Sequence, residues 1–288
     1  MRVLADPTLP ETIALDDDLL VCADNADVLG RLPDGAFDLI YLDPPFNTGR
    51  TQTHAQLRVT ASAAGTRTGF GGRSYTTEEV VRRAFADSFS DYLAFLGPRL
   101  ERCRELLADH GTLYLHLDPR ESHYAKVLLD EIFGRECFLN EIVWAYDFGA
   151  RTTKRWPAKH DTILVYVRDP ERYWFDSAEV DREPYMAPGL QTPERAARGK
   201  LPTDVWWHTI VGTNSRERTG YPTQKPEGVL RRIVTASSKP GGWCLDPFCG
   251  SGTLGAVAAG LDRRFVLVDA SDEAVGVAAE RLGAPKAA

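Results

Sequence analysis

Short apolar runs that end in an acid recur along the chain, separated by longer stretches with helical spacing. The clearest run, Ala36-Phe37-Asp38-Leu39-Ile40-Tyr41-Leu42, predicts a strand that ends at Asp43. Thr112–Leu117, Ile142–Trp144, Thr162–Val167, Trp243–Asp246 and Phe265–Asp269 read as further strands. Helices are predicted from about Asp91 to Asp109, with Gly111 as the stop, and from Ser122 through Phe133. Others follow from Pro226 to about Ser238, from Thr253 to Gly260, and from about Ser271. Thr76 with Glu79 has the form of a capping box and predicts one more helix start. Strands alternating with helices predict an α/β fold around a mostly parallel sheet. Two stretches stand outside the pattern. Residues 47–75 are rich in Gly, Thr and Ser and lack periodicity, and a loop of that length is usually functional. Residues 170–222 are irregular, with many Pro, Arg and Trp.

Composition narrows the class. A chain of 288 residues suits one large domain, or a domain with a small appendage. Its apolar fraction of 43% and charged fraction of 26% are those of a globular protein with a substantial core. No opening segment resembles a signal peptide, and no apolar run approaches the ~18–20 residues of a membrane span. The five cysteines, Cys22, Cys103, Cys137, Cys244 and Cys249, are scattered and form no CxxC pair. Neither a disulfide framework nor a zinc site is indicated, and a reducing cytoplasm is the expected compartment. His160 and His208 have no matching cluster, so no metal is expected.

The net charge of −7 speaks against nucleic-acid binding only on average, because a DNA-binding face needs just a local positive patch. Two segments supply one. Residues 47–77 carry Arg50, Arg58, Arg67 and Arg73 without an acid, and residues 148–168 carry Arg151, Lys154, Arg155, Lys159 and Arg168 against Asp161. Solvated loops would show the same charges.

Two loops carry candidate chemistry. Asp246-Pro247-Phe248-Cys249-Gly250-Ser251-Gly252-Thr253 turns from a strand into a helix. Glycines there let the backbone approach a ligand, although a packing turn also uses them. Asp269 ends the next strand, where a carboxylate can hold a ribose diol. Loop and acid together suggest a nucleoside cofactor. The other loop is Asp43-Pro44-Pro45-Phe46. Two prolines fix its backbone and remove two N–H donors, leaving the Asp43 carboxylate and the Pro44 carbonyl as acceptors beside an aromatic ring. Such a site suits an exocyclic base amine, whose delocalised lone pair becomes more nucleophilic when acceptors hold its hydrogens. A proline-stiffened turn is the plainer reading of the tetrapeptide alone.

Together the loops carry a resemblance. The chain resembles the permuted, beta-class amino-group DNA methyltransferases, in which the catalytic motif precedes the cofactor motif. The matching blocks are Ala23–Leu29 leading through Leu32-Pro33-Asp34-Gly35 to Asp43–Phe46, then Tyr221-Pro222-Thr223-Gln224-Lys225-Pro226-Glu227, then Leu245–Thr253 with Asp269. The resemblance implies a seven-stranded, mostly parallel Rossmann-like sheet with helices on both faces, and S-adenosylmethionine as cofactor. It implies one domain over 1–288, with a catalytic block at 20–147 and a cofactor block at 221–283. It assigns Asp43, Pro44, Pro45 and Phe46 to the target base. Asp24, Asn25, Thr223, Gln224, Lys225, Pro226, Asp246, Phe248, Gly250, Ser251, Gly252, Thr253 and Asp269 are assigned to the cofactor. Tyr221 stands where the family usually has His, Phe46 where Tyr is commoner, and Asp269 where Glu is usual.

The expected substrate is double-stranded DNA, with a flipped-out base in the site. Arg50, Arg67 and Arg73 on loop 47–75, and Arg151, Lys154 and Arg155 in an embedded recognition region at about 148–220, are the expected DNA contacts. Of Trp156, Trp174, Trp206 and Trp207, at least two are expected in a small core under the loops. In the family it resembles, adenine enzymes usually show Asp before the prolines, so the resemblance implies N6 of adenine, with N4 of cytosine as the alternative. An rRNA methyltransferase and a non-catalytic DNA adaptor are the remaining readings. A second copy of the chain and a cognate restriction endonuclease are candidate partners.

Overall fold

The nearly all-apolar run Phe37–Leu42 is a strand buried at every position, as a parallel strand covered on both faces must be. In the computed structural model it is the third of twelve strands among the described residues. These residues are 1–47, 89, 91–149 and 151–283, together with the backbone alone of 52–61, 67–68 and 74–85. The order is β1 (Arg2–Ala5), β2 (Leu19–Cys22), α1 (Asn25–Leu29), β3 (Phe37–Leu42), β4 (Gln52–Ala61), β5 (Arg67–Thr68), β6 (Ser74–Phe85), α2 (Tyr92–Leu106) and β7 (Leu107–Leu117). Then come α3 (Ser122–Phe133), β8 (Phe138–Ala145), β9 (His160–Val167), α4 (Pro193–Arg198), β10 (Val205–Trp207), α5 (Glu227–Ser237), β11 (Trp243–Asp246), α6 (Thr253–Ala259), β12 (Arg264–Asp269) and α7 (Asp272–Arg281).

The chain divides into two units, one of Met1–Pro44 with Leu93–Ala288 and one of Pro45–Tyr92. The larger unit holds a sheet of nine strands in the order β1-β2-β12-β11-β3-β7-β9-β8-β10. The six strands from β1 to β7 in that order run parallel, in five pairs. β9 is antiparallel to both β7 and β8, and β10 is parallel to β8. Nine strands replace the seven expected. The additions include the sheet edges β1 and β10, of four and three residues, too short to show a period in the sequence.

One face of the sheet, with Leu39, Tyr41, Tyr114, Ile163 and Cys244, packs in a single core with Leu230 and Ile233 of α5, Leu254 and Val257 of α6, and Ala278 of α7. The alternate residues Ile40, Leu42, Leu113 and Leu115 are fully buried too, so the opposite face is also covered. The non-catalytic end of β3 is fixed by Asp38, which accepts from the Lys239 N–H at 3.0 Å and lies 3.1 Å from His110 Nε2. No helix among the described residues is long and apolar enough to cross a membrane.

The smaller unit corrects two expectations. β4, β5 and β6 form an antiparallel sheet in the order β4-β6-β5, with Gln52 opposite Phe85 and Ala61 opposite Tyr75. Residues 47–75 are therefore not structureless throughout, and Thr76 and Glu79 lie in β6, not at a helix start. Thr76, Thr77, Val80 and Val81 are β-branched, and that local preference, with a partner strand available, prevails over the capping pattern. The tryptophans correct a third: Trp206 is buried, Trp174 is one-third exposed, and Trp156 and Trp207 are exposed, so one of the four lies in a core.

Ile40 sits at the centre of the sheet with no exposed surface. Ile40→Ala is expected to cost about 2–5 kcal/mol, read as a lower urea midpoint with an unchanged m-value.

Candidate active site

Strand order alone brings the two loops together. β3 and β11 are parallel neighbours, with Leu39 opposite Cys244 and Ile40 opposite Leu245. Their carboxyl ends therefore lie side by side, Asp43 after one and Asp246 at the end of the other. β12 flanks β11 and ends at Asp269, and β7 flanks β3 and is followed by Asp118. Open α/β sheets bind their ligands at this edge.

Asp43 and Pro44 belong to the larger unit, and Pro45 and Phe46 begin the smaller one. Asp43 Oδ2 is ion-paired with Lys225 Nζ. Asp43 Oδ1 is buried and has no hydrogen-bond partner among the described residues. The carboxylate thus presents one anchored oxygen and one open acceptor, and a buried acceptor without a partner is costly unless a ligand fills it.

The glycine loop is held from below. Asp246 is almost fully buried, and its Oδ1 accepts from the Phe248 N–H at 3.0 Å. Asp269 accepts from the Gly250 N–H and from the Ser271 N–H, each at 2.9 Å. Gly250 and Gly252 have φ of 48° and 71°, a region that favours glycine. A Cβ on Gly250 would come within 3.1 Å of the Tyr221 ring, and one on Gly252 within 2.9 Å of Ala278 Cβ. Ser251 and Thr253 are buried, and Arg281 donates to Thr253 Oγ1 at 2.9 Å and to Glu227 at 2.7 Å. That network joins the loop to the start of α5.

The other predicted cofactor residues have visible partners. Asp24 caps α1 through the Ala26 N–H and pairs with Arg99 at 3.0 Å. Asn25 is buried, donates to the Pro247 carbonyl at 2.8 Å and accepts from Arg99 Nε at 2.6 Å. Gln224 ties its own turn, accepting from the Thr219 N–H at 2.8 Å and donating to the Glu217 carbonyl at 2.6 Å. Thr223 is exposed, and Pro226 is the buried N-cap of α5. Phe248 packs against Phe95, with ring centroids 6.1 Å apart, and the Arg99 guanidinium lies over Phe95 at 4.0 Å. Phe95, Arg99 and Arg281 were not singled out from sequence. They lie in helices with no motif around them, and only the fold brings them to the loops.

Of the predicted DNA contacts, Arg151, Lys154 and Arg155 are exposed and form no ion pair among the described residues. Arg67 is described in its backbone alone, and Arg50 and Arg73 lie outside the described residues.

The electrostatics fit a cationic nucleoside. Burial pushes the Asp246 carboxyl well above its usual range, and the Asp43 and Asp269 carboxylates push it further. Burial raises Asp269 as well, against the two N–H groups that it accepts from. The gathered carboxyl groups offer acceptors for a cation and for hydroxyls, and a cation there would favour their charged forms, while the glycine cradle leaves room for a backbone-hugging ligand. S-adenosylmethionine, with its sulfonium, ammonium and ribose, matches both features. Burial also drives the Cys249 thiol well up, so that side chain is no thiolate nucleophile.

A carboxyl raised in the folded state favours folding fully only below its ordinary value, and that contribution is lost as pH rises through the folded value. At neutral pH, Asp246 is therefore a stability cost. Asp246→Asn keeps the acceptor for Phe248 and removes the charge. Thermal melts are expected to show Tm higher by roughly 2–4 °C at pH 8, with the gain vanishing towards pH 4.

Comparison with known proteins agrees with this geometry. Residues 37–280 match the DNA methylase family of the N6/N4 type. The chain is 31% identical over 268 residues to the type II methyltransferase M.HpaI of Haemophilus parainfluenzae, covering 92% of this chain and 74% of that one. It is 29% identical over 262 residues to the DNA adenine methyltransferase YhdJ of Escherichia coli, covering 88% and 79%. Among solved structures, the cytosine-N4-specific PvuII DNA methyltransferase superposes with a TM-score of 0.62 at 12% identity, over 91% of this chain and 85% of that one. The M1.HpyAVI complex with S-adenosylmethionine gives 0.58 at 19% identity, over 91% and 98%. With a family match across most of its length, and the family's two loops side by side at one sheet edge, the chain belongs to the DNA methylases of the N6/N4 amino-methyltransferase type.

Proposed function

We propose that the protein methylates the exocyclic N6 of adenine in double-stranded DNA at a specific site. Family membership carries the coarser statement, an S-adenosylmethionine-dependent transferase for base amino groups. The observation that supports the amine chemistry is Asp43, with one oxygen held by Lys225 and the other open; the choice of adenine rests on an Asp standing before the prolines.

When bound, S-adenosylmethionine supplies an electrophilic methyl group. The residues of this chain hold it and prepare the amine. Gly250, Gly252, Phe248 and Tyr221 shape the pocket, and Asp246 and Asp269 supply its acceptors. Asp43 Oδ1 and the Pro44 carbonyl accept the two amine hydrogens. That leaves the nitrogen lone pair free to point along the line of attack and stabilises the positive charge that builds there. As the N–C bond forms, the bond from the methyl to sulfur would break and its electron pair return to sulfur, leaving a neutral thioether; the nitrogen sheds one proton, and Asp43 Oδ1 takes it. Positioning supplies much of the remaining acceleration.

The base leaves its stack to reach this edge, at a cost of a few kcal/mol, and stacking on Phe46 returns roughly 1–3 kcal/mol. Arg151, Lys154 and Arg155 hold phosphates or guanine edges through the recognition region. Adenine is favoured by the carboxylate at position 43 and by the likeness to YhdJ, described as an adenine enzyme. A cognate restriction endonuclease is the partner that the likeness to a type II methyltransferase suggests.

Mass analysis of nucleosides from DNA treated with the enzyme and labelled cofactor should give N6-methyladenine; N4-methylcytosine instead would move the proposal to the cytosine reading. Asp43→Ala is expected to reduce methyl transfer by about a thousandfold or more while cofactor affinity, measured by calorimetry, stays within about threefold. Retained turnover in that variant would overturn the role of Asp43.

A further inference from the structure

Arg281, the last residue of α7, is a cation with no part in the chemistry above. A basic residue there can serve the helix end from solvent. This side chain turns inward instead and is only 8% exposed. Its Nη2 donates to Glu227 Oε1, in the first turn of α5, at 2.7 Å. Its Nη1 donates to Oγ1 of Thr253, the first residue of α6, at 2.9 Å. Longer contacts run from Nη1 to the Ser251 carbonyl at 3.4 Å and to the Ser251 hydroxyl at 3.5 Å. Thr253 is buried, and its hydroxyl donates in turn to the Lys225 carbonyl at 3.2 Å. Lys225 is the residue whose ammonium holds Asp43 Oδ2. The glycine loop is therefore joined by direct hydrogen bonds to the residue that anchors Asp43.

The partners assign the protons. Arginine only donates, so Thr253 Oγ1 accepts from Arg281 and its single hydrogen goes to the Lys225 carbonyl. Ser251 Oγ, 3.4 Å from Thr253 Oγ1, can turn its own hydrogen towards it. The Thr253 hydroxyl is thus spent inside the protein and has no hydrogen to offer a ligand. What it holds is the backbone of Lys225, in the turn before Pro226, the N-cap of α5. A lysine side chain is long and flexible, so the reach of its ammonium depends on where its backbone is held. Group transfer is steep in distance, and a misplacement of about 1 Å can cost roughly a hundredfold in rate.

We propose that Thr253, with its hydroxyl oriented by Arg281, is a positioning residue that ties the Lys225 backbone to the glycine loop and so sets the Asp43 amine site in register with the methyl donor. The tie joins two walls carried by different elements. One is the loop after β11, which cradles the cofactor. The other is the Lys225–Asp43 pair, which receives the amine. Arg281 secures the tie from beneath by gripping the first turns of α5 and α6 with one guanidinium, whose planar fork suits two acceptors at once. This account rests on the reading of Asp43 as the acceptor of the amine.

The test combines single-turnover methylation by the full-length protein, well below the melting temperature of each variant, with calorimetric cofactor Kd and hydrogen exchange of the ligand-free protein. Thr253→Val keeps the shape and removes the hydroxyl. It is expected to lower the rate at saturating DNA and cofactor by about tenfold or more, with cofactor Kd within about threefold. Peptides covering 221–227 and 248–254 should exchange faster in that variant. Thr253→Ser, which restores the hydroxyl, should return both the rate and the exchange to those of the unaltered protein. Arg281→Lys, which keeps the charge without the fork, should lower the rate in the same pattern, and the double variant Thr253→Val/Arg281→Lys should be no slower than the slower single one. An unchanged saturated rate in Thr253→Val, whatever its Tm, overturns the proposal. So does unchanged exchange, a loss confined to cofactor Kd, or multiplicative losses in the double variant. Should Thr253→Val not fold, Arg281→Lys decides by the same rate, Kd and exchange criteria. Activity in Asp43→Ala sinks the underlying reading; an inactive Asp43→Ala beside a fully active Thr253→Val sinks only the tie.

Discussion

The parallel pairing of β3 with β11 is the constraint on which the site depends. Parallel neighbours end at the same edge, so pairing Ile40 with Leu245 sets Asp43 beside the Asp246 loop whatever the chain does between them. That intervening chain is long, and it includes an antiparallel detour through β9 and β8 and a separate small unit. None of this disturbs the edge. The pairing tolerates a catalytic segment placed before the cofactor segment because a sheet edge has no memory of chain order. Lys225 closes the arrangement from the turn before α5, reaching across 182 residues of sequence to the acid after β3.

The same edge is electrostatically expensive. Asp43, Asp246 and Asp269 converge there; burial raises the last two, and repulsion from Asp43 and Asp269 adds to it at Asp246. What offsets the cost is a set of fixed donors: the N–H groups of Phe248, Gly250 and Ser271, and the Lys225 ammonium. The three N–H donors are local to the glycine loop and to the turn after β12, so relaxing those segments would leave Asp246 and Asp269 without them. Stability and binding capacity therefore pull against each other here, as they commonly do at functional sites.

Much of this was legible in the sequence because the responsible signals are local. An apolar run bounded by an acid marks β3, β11 and β12 almost to the residue, and glycines that need positive φ mark the cofactor turn. The edge strands were not legible, being too short for a period, and β6 was obscured by a capping pattern that its β-branched residues override. The partners of the site residues were less visible still. Asn25 was read as a cofactor residue from its block alone, yet its amide joins Pro247 to Arg99, contacts 222 and 74 residues apart in sequence. Likewise nothing around His116 or Asp161 marks them as a pair, because only the antiparallel register of β7 and β9 brings their side chains together.

The choice of aspartate at position 43 follows from that convergence. A hydroxyl in its place has one oxygen, which would have to serve both Lys225 and the incoming amine. A carboxylate has two, and they can be specialised: one is neutralised by the ammonium, while the other keeps its lone pairs for the substrate. Specialisation needs the ammonium to stay on one side, and a flexible lysine side chain has no intrinsic reason to do so. Here the ammonium contacts Oδ2, and Oδ1 is left without a hydrogen-bond partner among the described residues. The amine site is then the product of an acid and a lysine, and the Asp-Pro-Pro-Phe loop that first attracts the eye carries only one of the two.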